Sequence, residues 1–290
     1  MFDKIIAFFM SIIAFFASLF GINISDGYNA FENVSYGDHS RQVLDLYLPE
    51  ENDGTAGLIL LIHGGAWIEG DKSSYTAAAK DIAKKYGFAA ATINYRYLSD
   101  DVDMNDILDD IEAAVAKISA LGEENGVRIE KMLLSGHSAG AHLSMLYAYS
   151  RTENSAVAPV AVVDYSGPTD LTDEEYLTNA ISGIVFQLLS YATGESINNA
   201  EDAQAYRNEI LAFSPVSYAD TAVPTIIAHG AKDSVVPYQN AVDLDAALTL
   251  AGVKHDFVTY SNSDHDLAAD DDCEEKVYTL MLEYAYEYLE

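Results

Sequence analysis

The pentapeptide Gly136-His137-Ser138-Ala139-Gly140 contains the residue types that could perform chemistry most directly. An apolar, strand-like run ends at Ser135, and a helix-forming stretch, 139–150, follows the serine. A serine at a sharp turn from a strand into a helix has its hydroxyl exposed, and small flanking residues avoid clashes there. The amides at the helix N-terminus point toward the same place. The pattern therefore predicts that Ser138 is a nucleophile rather than an idle serine in a glycine-rich turn.

A second motif, His63-Gly64-Gly65-Ala66-Trp67, follows the apolar run 58–62 and lies about 70 residues before the serine. Backbone N–H groups in such a turn can point at the oxygen that becomes negative when a carbonyl group is attacked. Glycine permits the close approach that this requires, although an ordinary Gly–Gly turn would have the same composition. The two motifs together predict acyl-transfer chemistry.

The two motifs resemble those of the α/β-hydrolase superfamily, and the similarity extends from about Val43 to the C-terminus. They look most similar to the esterase and lipase branch with an HGGxW motif, which includes hormone-sensitive-lipase-like, feruloyl-esterase-like and kynurenine-formamidase-like enzymes. The resemblance implies an oxyanion hole built from the backbone amides of Gly65, Ala66 and Ala139. Ala66 stands where many members have a third glycine, and its methyl group is expected to narrow the part of the active site that holds the acyl group of the substrate.

A serine hydroxyl needs a general base, and the base needs an acid that orients it. In the family these residues follow the serine in the order acid, then histidine, which leaves His255 and His265 as late candidates for the base. His255 opens the last predicted strand, whereas His265 follows that strand in a polar loop, so we predict His265. Asp233, after the run 225–230, is the predicted acid, and Asp170 is the alternative because some α/β-hydrolases take the acid from the preceding strand. Each aspartate could also be a turn or cap residue.

Four other residues near the motifs are expected to be structural. His142 lies one turn beyond Ser138 and is expected to be a core histidine, and Asp71 is expected to tether its loop. Trp67 and Tyr95 could wall an acyl pocket, but large aromatic side chains are more often part of a core. No H-E-x-x-H motif, C-x-x-C motif or carboxylate cluster in the sequence suggests a required metal, and no cofactor is expected.

Strand-like and helix-like segments alternate over most of the chain. The predicted strands are 31–36, 42–48, 58–62, 88–94, 131–135, 160–165, 225–228 and 257–260. The predicted helices are 73–87, capped by Ser73, then 107–121, 139–150, 239–250 and 274–289. After the first two strands, the connections are long enough for helical crossovers. The alternation predicts an α/β fold with a mostly parallel central sheet and helices on both faces, and the resemblance implies an α/β-hydrolase fold.

The segment from Leu171 to Phe213 interrupts this alternation with about forty residues of weakly patterned, helix-forming sequence. A connection of this length is usually a functional insertion. We therefore predict one α/β-hydrolase domain, 23–290, with a small lid insertion at about 171–213. The apolar run 184–189 would form either one wall of an acyl pocket or the lid's own small core. A pocket closed in this way should favour acyl chains of roughly two to four carbons.

The N-terminal stretch 5–22 is uncharged and almost wholly apolar. It is at the lower length limit for a membrane span, slightly long for the apolar region of a signal peptide, and no clear cleavage site follows it. A buried helix is the third interpretation, but the stretch has no polar face. We predict that residues 1–22 are a signal peptide or membrane anchor, so the protein is secreted or membrane-anchored and extracellular.

The chain is strongly acidic, with 15 Lys plus Arg, 46 Asp plus Glu and a net charge of -31. Such a surface repels phosphate backbones, so nucleic acid is not an expected partner, and polyanionic substrates such as pectate are disfavoured. The single cysteine, Cys273, cannot form an internal disulfide.

The expected activity is hydrolysis of small or short-acyl carboxylic esters through an acyl-enzyme, with acetyl and feruloyl esters of plant polysaccharides among the candidate substrates. An arylformamidase, acting on an N-formyl aromatic compound, would use the same machinery and is the first alternative. A non-catalytic binding protein of the same fold is the second, although such proteins typically lose a triad residue. A peptidase is disfavoured because related peptidases usually carry a large additional domain.

Overall fold

The computed structural model describes residues 26–152, 155–178 and 182–290. The apolar stretch 5–22 lies outside the described residues. Within them, no helix combines the length and the apolar character needed to cross a membrane.

The described residues form one eight-stranded sheet with the strand order β1-β2-β4-β3-β5-β6-β7-β8. The first two strands pair antiparallel to each other, β2 pairs antiparallel to β4, and all the other pairs are parallel. The strands are β1 Tyr28–Ser35, β2 Val43–Pro49, β3 Leu58–Ile62, β4 Ala89–Ile93, β5 Lys131–His137, β6 Ala158–Tyr165, β7 Thr225–Gly230 and β8 His255–Tyr260. The predicted mostly parallel sheet is therefore confirmed.

The connections between the parallel strands are mainly helical. The helices are α1 Thr76–Tyr86, α2 Met104–Glu124, α3 Ala139–Ser150, α4 Glu174–Thr178, α5 Ser182–Thr193, α6 Ala200–Ala205, α7 Arg207–Leu211, α8 Tyr238–Ala251 and α9 Asp271–Tyr288. Two 3-10 helices, Lys72–Tyr75 and Pro215–Thr221, complete the described elements. The sequence placed the start of the first helix at Ser73. The structure instead has Asp71 accepting a hydrogen bond from the Ser73 amide, one 3-10 turn, and then α1 from Thr76.

Both faces of the central strands are buried, as expected for parallel strands between two helical layers, whereas the edge strand β1 has no buried residue. Alternate residues of β3 show this, because Leu58, Leu60 and Ile62 belong to one core cluster and Ile59 and Leu61 to the other. Helices α2, α3 and α8 cover the first face, and α1 and α9 cover the second. Because β3 to β8 run parallel, their carboxyl ends lie at the same edge of the sheet, which is where α/β folds bind their ligands.

The segment 171–213 contains four short helices, α4 to α7. On α5, Val185, Leu188 and Leu189 are buried, whereas Ile184 is 54% exposed. The buried residues join the main core cluster together with Trp67. Where this segment meets Trp67, a cavity of only about 10 Å³ remains, which is too small for more than one water molecule. The apolar run 184–189 therefore packs into the main core cluster, the one that contains Leu58, Leu60 and Ile62.

Candidate active site

Ser138 lies in the turn that joins β5 to α3, and its backbone has φ 57° and ψ −122°. This conformation is strained for a residue with a side chain and costs of order 1–3 kcal/mol. The glycines at positions 136 and 140 make the turn possible. A Cβ atom at Gly140 would overlap the carbonyl oxygen of Ile62, and one at Gly136 would lie 2.5 Å from the same oxygen. The Ser138 amide donates to the carbonyl oxygen of Tyr165 at 2.8 Å, which ties the turn to β6.

His265 and Asp233 come together at the ends of two neighbouring strands. Nδ1 of His265 lies 2.8 Å from Oδ2 of Asp233. The Asp233 side chain is fully buried, and that of His265 is 18% exposed. Because the carboxylate can only accept, Nδ1 carries the proton, and this tautomer leaves Nε2 free to take one. The pair thus has the form of a general base oriented by an acid.

The Asp233 carboxylate is held by several donors. Oδ1 accepts hydrogen bonds from the amides of Val235 and Val236 at 2.9 and 2.8 Å. Burial by itself raises the pKa of Asp233, but hydrogen bonds from His229 and His265 hold it well below its usual range. The acid is therefore ionised at any pH at which the protein would work.

Asp170, the alternative acid, lies in a different environment. Its Oδ1 atom accepts from the amide and the hydroxyl of Thr172 at 2.7 and 2.6 Å. In the described part of the chain, it forms no hydrogen bond or ion pair with His265. Asp170 is thus a turn aspartate, and the structure brings only Asp233 to the imidazole.

His137 connects the nucleophile turn to the loop that carries His265. Its Nε2 donates to the carbonyl oxygen of His265 at 2.7 Å, and the two rings lie 4.8 Å apart. Burial lowers the pKa of His137, although the hydrogen bond to His265 opposes this, so the ring is a neutral donor. This contact holds the loop against the residue that precedes Ser138. Within the described residues, the Ser138 hydroxyl and His265 form no hydrogen bond, and such contacts are often long before substrate binds.

The turn that contains Gly65 lies directly against Ser138. A Cβ atom at Gly64 would lie 2.6 Å from the carbonyl oxygen of His137 and 3.5 Å from Cβ of Ser138. Gly65, Ala66 and Trp67 have φ values of 113°, 49° and 60°, which form a run of left-handed residues. In the described residues, the amides of Gly65, Ala66 and Ala139 have no acceptor. These three N–H groups are thus not committed to a protein acceptor in the described part of the chain.

Contacts around His63 hold the turn in place. Nδ1 of His63 donates to the carbonyl oxygen of Gly64 at 2.7 Å, and its Nε2 lies 3.1 Å from Nη2 of Arg41. Tyr95 stacks on the imidazole and donates to the His63 carbonyl oxygen at 3.0 Å. The next loop is tethered by Asp71, which accepts from Asn94 at 2.8 Å. The sequence predicted the tether but not the part played by Arg41.

Trp67 and His142 belong to the structure around the turn. Nε1 of Trp67 donates to Nδ1 of His142 at 3.2 Å, and Nε2 of His142 donates to the carbonyl oxygen of Phe213 at 2.8 Å. Burial lowers the pKa of His142 to about 4, so it stays neutral. His142 is therefore the core histidine that was expected, and it joins α3 to the end of the segment 171–213.

Two buried groups behind Asp233 were not predicted as part of the site. Nε2 of His229 lies 3.0 Å from the carbonyl oxygen of Val236 and 3.3 Å from Oδ2 of Asp233. Asp164 pairs with Ile227 in the parallel register, so Asp164 and His229 point to the same face of the sheet. Burial raises the pKa of Asp164 to about 7, although His229 opposes the shift. The signal in the sequence was the histidine four residues before Asp233.

Among the side chains that the structure describes, no group of three or more His, Cys, Asp or Glu could hold a metal ion.

The sheet topology and the strand-turn-helix around Ser138 are those of an α/β-hydrolase fold, which agrees with the resemblance in the sequence. The chain belongs to the BD-FAE family, whose model matches residues 44–248. Among curated proteins, it is 27% identical over 250 residues to the isoprenylcysteine alpha-carbonyl methylesterase of Arabidopsis thaliana, covering 80% of this chain and 56% of that protein. It is 29% identical over 221 residues to the probable carboxylic ester hydrolase LipM of Mycobacterium tuberculosis, covering 72% and 49%. The chain thus spans about half the length of these relatives.

Solved structures share the fold at lower sequence identity. A truncated form of a carbohydrate esterase from gut microbiota superimposes with a TM-score of 0.75 at 22% identity, covering 91% of this chain and 97% of that one. A bacterial heroin esterase superimposes with a TM-score of 0.72 at 20% identity, covering 96% and 90%. The predicted α/β-hydrolase fold is therefore confirmed.

Proposed function

We propose that this protein hydrolyses small carboxylic esters with short acyl groups, through Ser138, His265 and Asp233. The observation that carries the proposal is the contact of 2.8 Å between the buried Asp233 carboxylate and Nδ1 of His265. The loop that contains His265 is in turn hydrogen-bonded to His137, the residue before Ser138 in the strained turn. The methylesterase and ester hydrolase relatives support the ester substrate class.

In the proposed reaction, Oγ of Ser138 attacks the ester carbonyl carbon while Nε2 of His265 takes the hydroxyl proton. The developing oxyanion accepts hydrogen bonds from the amides of Gly65, Ala66 and Ala139. The imidazolium then gives its proton to the leaving alcohol, which yields an acyl-enzyme. Water, deprotonated by His265, hydrolyses the acyl-enzyme and restores Ser138. Throughout, Asp233 keeps the imidazole in its tautomer and stabilises its charged form.

Labelling of the nucleophile tests the proposal most directly. A fluorophosphonate should modify Ser138 with one equivalent, and Ser138→Ala should keep its fold while losing labelling and nearly all hydrolysis of p-nitrophenyl acetate. Ser144→Ala is a matched control, because Ser144 lies on the same helix and its hydroxyl is bonded to the Gly140 carbonyl oxygen. Labelling that persists in Ser138→Ala would refute the assignment.

Similar proteins of this fold suggest a narrower class of ester substrates. We propose acetyl or feruloyl esters of plant polysaccharides, since a carbohydrate esterase from gut microbiota shares this fold. A panel of methyl ferulate, acetylated xylan and N-formylkynurenine tests this. A specificity constant highest for N-formylkynurenine would make the protein an arylformamidase, and no turnover of any ester would favour a binding protein.

For the N-terminal stretch, we propose export or membrane attachment. The support is its composition, because it is uncharged, apolar and preceded by Lys4. A protein that starts at Asn23 should be soluble and active, while the full chain should be exported or sediment with membranes. If the shorter protein aggregates and the full chain stays soluble in the cytosol, the stretch belongs to the core instead.

A further inference from the structure

A cavity of about 590 Å³ lies on the second face of the sheet, between α1 and α9. Its floor is formed by side chains near the ends of β3, β5, β6 and β8, namely Leu61, Ser135, His137, Tyr165 and Tyr260. The residues 266–268, just after His265, also line it. Ser138, Asp233 and the turn 64–67 do not line it, so the cavity does not include the proposed reacting groups. Its volume is within the usual range for small-molecule sites, roughly 300–1,000 Å³.

Four tyrosines from four different elements line the cavity. They are Tyr75, Tyr165, Tyr260 and Tyr278, from the first 3-10 helix, β6, β8 and α9. Burial raises the pKa of all four hydroxyls, that of Tyr75 to about 12, so the rings are neutral at ordinary pH. Neutral phenol rings carry negative charge on their faces and attract cations.

Tyr260 is the most deeply buried of the four tyrosines, with 1% of its surface exposed. Its hydroxyl has no hydrogen-bond partner in the described residues and is closed to solvent, so an occupant of the cavity would meet other atoms of the lining.

The ionisable residues of the lining are mostly acidic. Asp81, Asp266 and Glu274 line the cavity, and no lysine or arginine does so. Asp81 is paired with Lys85 at 2.6 Å on the exposed surface of α1. The other two carboxylates, Asp266 and Glu274, make no ion pair among the residues described. This charge distribution favours a cationic occupant and opposes an anionic one.

From the tyrosines and the carboxylates together, we propose that this cavity binds a small organic ammonium ion. The rings would contact the apolar part and the positive charge of the ion, and the carboxylates of Asp266 and Glu274 would offset that charge. This binding site goes beyond ester hydrolysis and does not depend on it.

Calorimetric titration of the full chain with choline tests the proposal. The neutral comparison compound is 3,3-dimethylbutan-1-ol, which has the same shape with carbon in place of the charged nitrogen. Choline should bind ~tenfold more tightly than the alcohol, as expected for a desolvated cation on aromatic rings. The difference should shrink as salt is added. Equal affinities for the two compounds, or no binding of choline, would overturn the proposal.

Variants on α9 locate the site. Tyr278→Leu should weaken choline binding by about fivefold or more, while Tyr278→Phe should keep it, because only the ring is needed there. Tyr286→Leu is the matched control, since Tyr286 is also exposed on α9 but packs on Phe88 outside the cavity. Glu274→Gln should weaken binding and Glu283→Gln should not. Binding unchanged in both Tyr278→Leu and Glu274→Gln would contradict the proposed location.

Independence from the catalytic cleft is tested with Ser138→Ala and with labelling. Choline should bind Ser138→Ala as tightly as the unmodified protein and should not protect Ser138 from a fluorophosphonate. Protection of Ser138 in proportion to choline occupancy would place the ligand in the catalytic cleft and overturn this inference. An absence of ester hydrolysis would refute the proposed function alone, because the binding comparison does not use activity.

Discussion

Nε2 of His229 lies 3.3 Å from Oδ2 of Asp233, and both side chains are fully buried. The same carboxylate oxygen lies 2.8 Å from Nδ1 of His265 on its other side. A single oxygen atom of the acid is therefore held between two imidazoles, of which only His265 is on the active-site loop. His229 restricts the rotation of the carboxylate that orients the base.

His229→Leu should lower kcat by about tenfold to a hundredfold, because the polar contact of Nε2 with the buried, charged carboxylate of Asp233 is lost. KM should change little, since His229 lies behind Asp233 and away from the substrate. His229→Gln, which can still donate to Asp233, should recover part of the activity. The measurements are kcat and KM for p-nitrophenyl acetate across pH, with urea unfolding to monitor stability. If kcat is unaltered in His229→Leu, His229 has no positioning role.

Replacing the acid should be far more damaging than replacing its rival. Asp233→Asn should reduce kcat by about 10³–10⁴, because the imidazole loses the partner that fixes its tautomer. Asp170→Asn should change kcat by less than about threefold, since an amide oxygen can still accept from Thr172. Steady-state kinetics of both variants decide between them. The opposite ranking would assign the acid to the loop after β6.

The buried carboxyl of Asp164 should make stability depend on pH. Burial raises its pKa to about 7 in the folded protein, above the value of an exposed aspartate. The folded state therefore binds this proton more tightly than the unfolded state, and the resulting stability is complete below about pH 4 and is lost as the pH rises to about 7. The largest slope from one group is about 1.4 kcal/mol per pH unit.

Asp164→Asn isolates this contribution, because asparagine resembles the protonated acid and its oxygen can still accept from the Gly167 amide. The unfolding free energy of Asp164→Asn minus that of the unmodified protein should be larger at pH 8 than at pH 5. Denaturant unfolding of both proteins at the two pH values gives the difference. A difference in unfolding free energy that does not change with pH would show that Asp164 does not titrate in this range.

The preferred acyl length should be short. Among the described residues, the segment 171–213 buries its apolar side chains against Trp67, and the cavity between them measures only about 10 Å³, which leaves little room there for an acyl chain. Each methylene beyond the available space should cost ~1–3 kcal/mol in discrimination. Acetate to butyrate esters should therefore be cleaved much faster than laurate or palmitate esters. Specificity constants across the series test this, and a maximum at octanoate or beyond would contradict it.

The local sequence was sufficient for the elements and for the nucleophile turn. All eight strands were predicted within a few residues of their bounds, because β-branched and apolar runs separated by helical stretches fix both the type and the order of elements. A side chain at Gly136 or Gly140 would clash with the backbone of the neighbouring strand. Because any turn of this kind needs small residues at these positions, the five residues 136–140 were enough to predict it. The helices of 171–213 were less predictable, because α5 packs by joining a distant core that includes Trp67.

The pairing of charged and polar groups was decided only in the tertiary structure. Asp233 and Asp170 both follow strands, and the sequence favoured Asp233 only through the chain order of a resembling family. The contact of Asp233 with His265, 32 positions away, is seen in the tertiary structure. The link from His137 to the His265 carbonyl spans 128 positions, and the His229 imidazole faces Asp233 only because the loop after β7 turns back on the strand. Sequence patterns report which face of an element is apolar. They do not report which polar groups meet across strands and loops, because those distances depend on how the whole sheet packs.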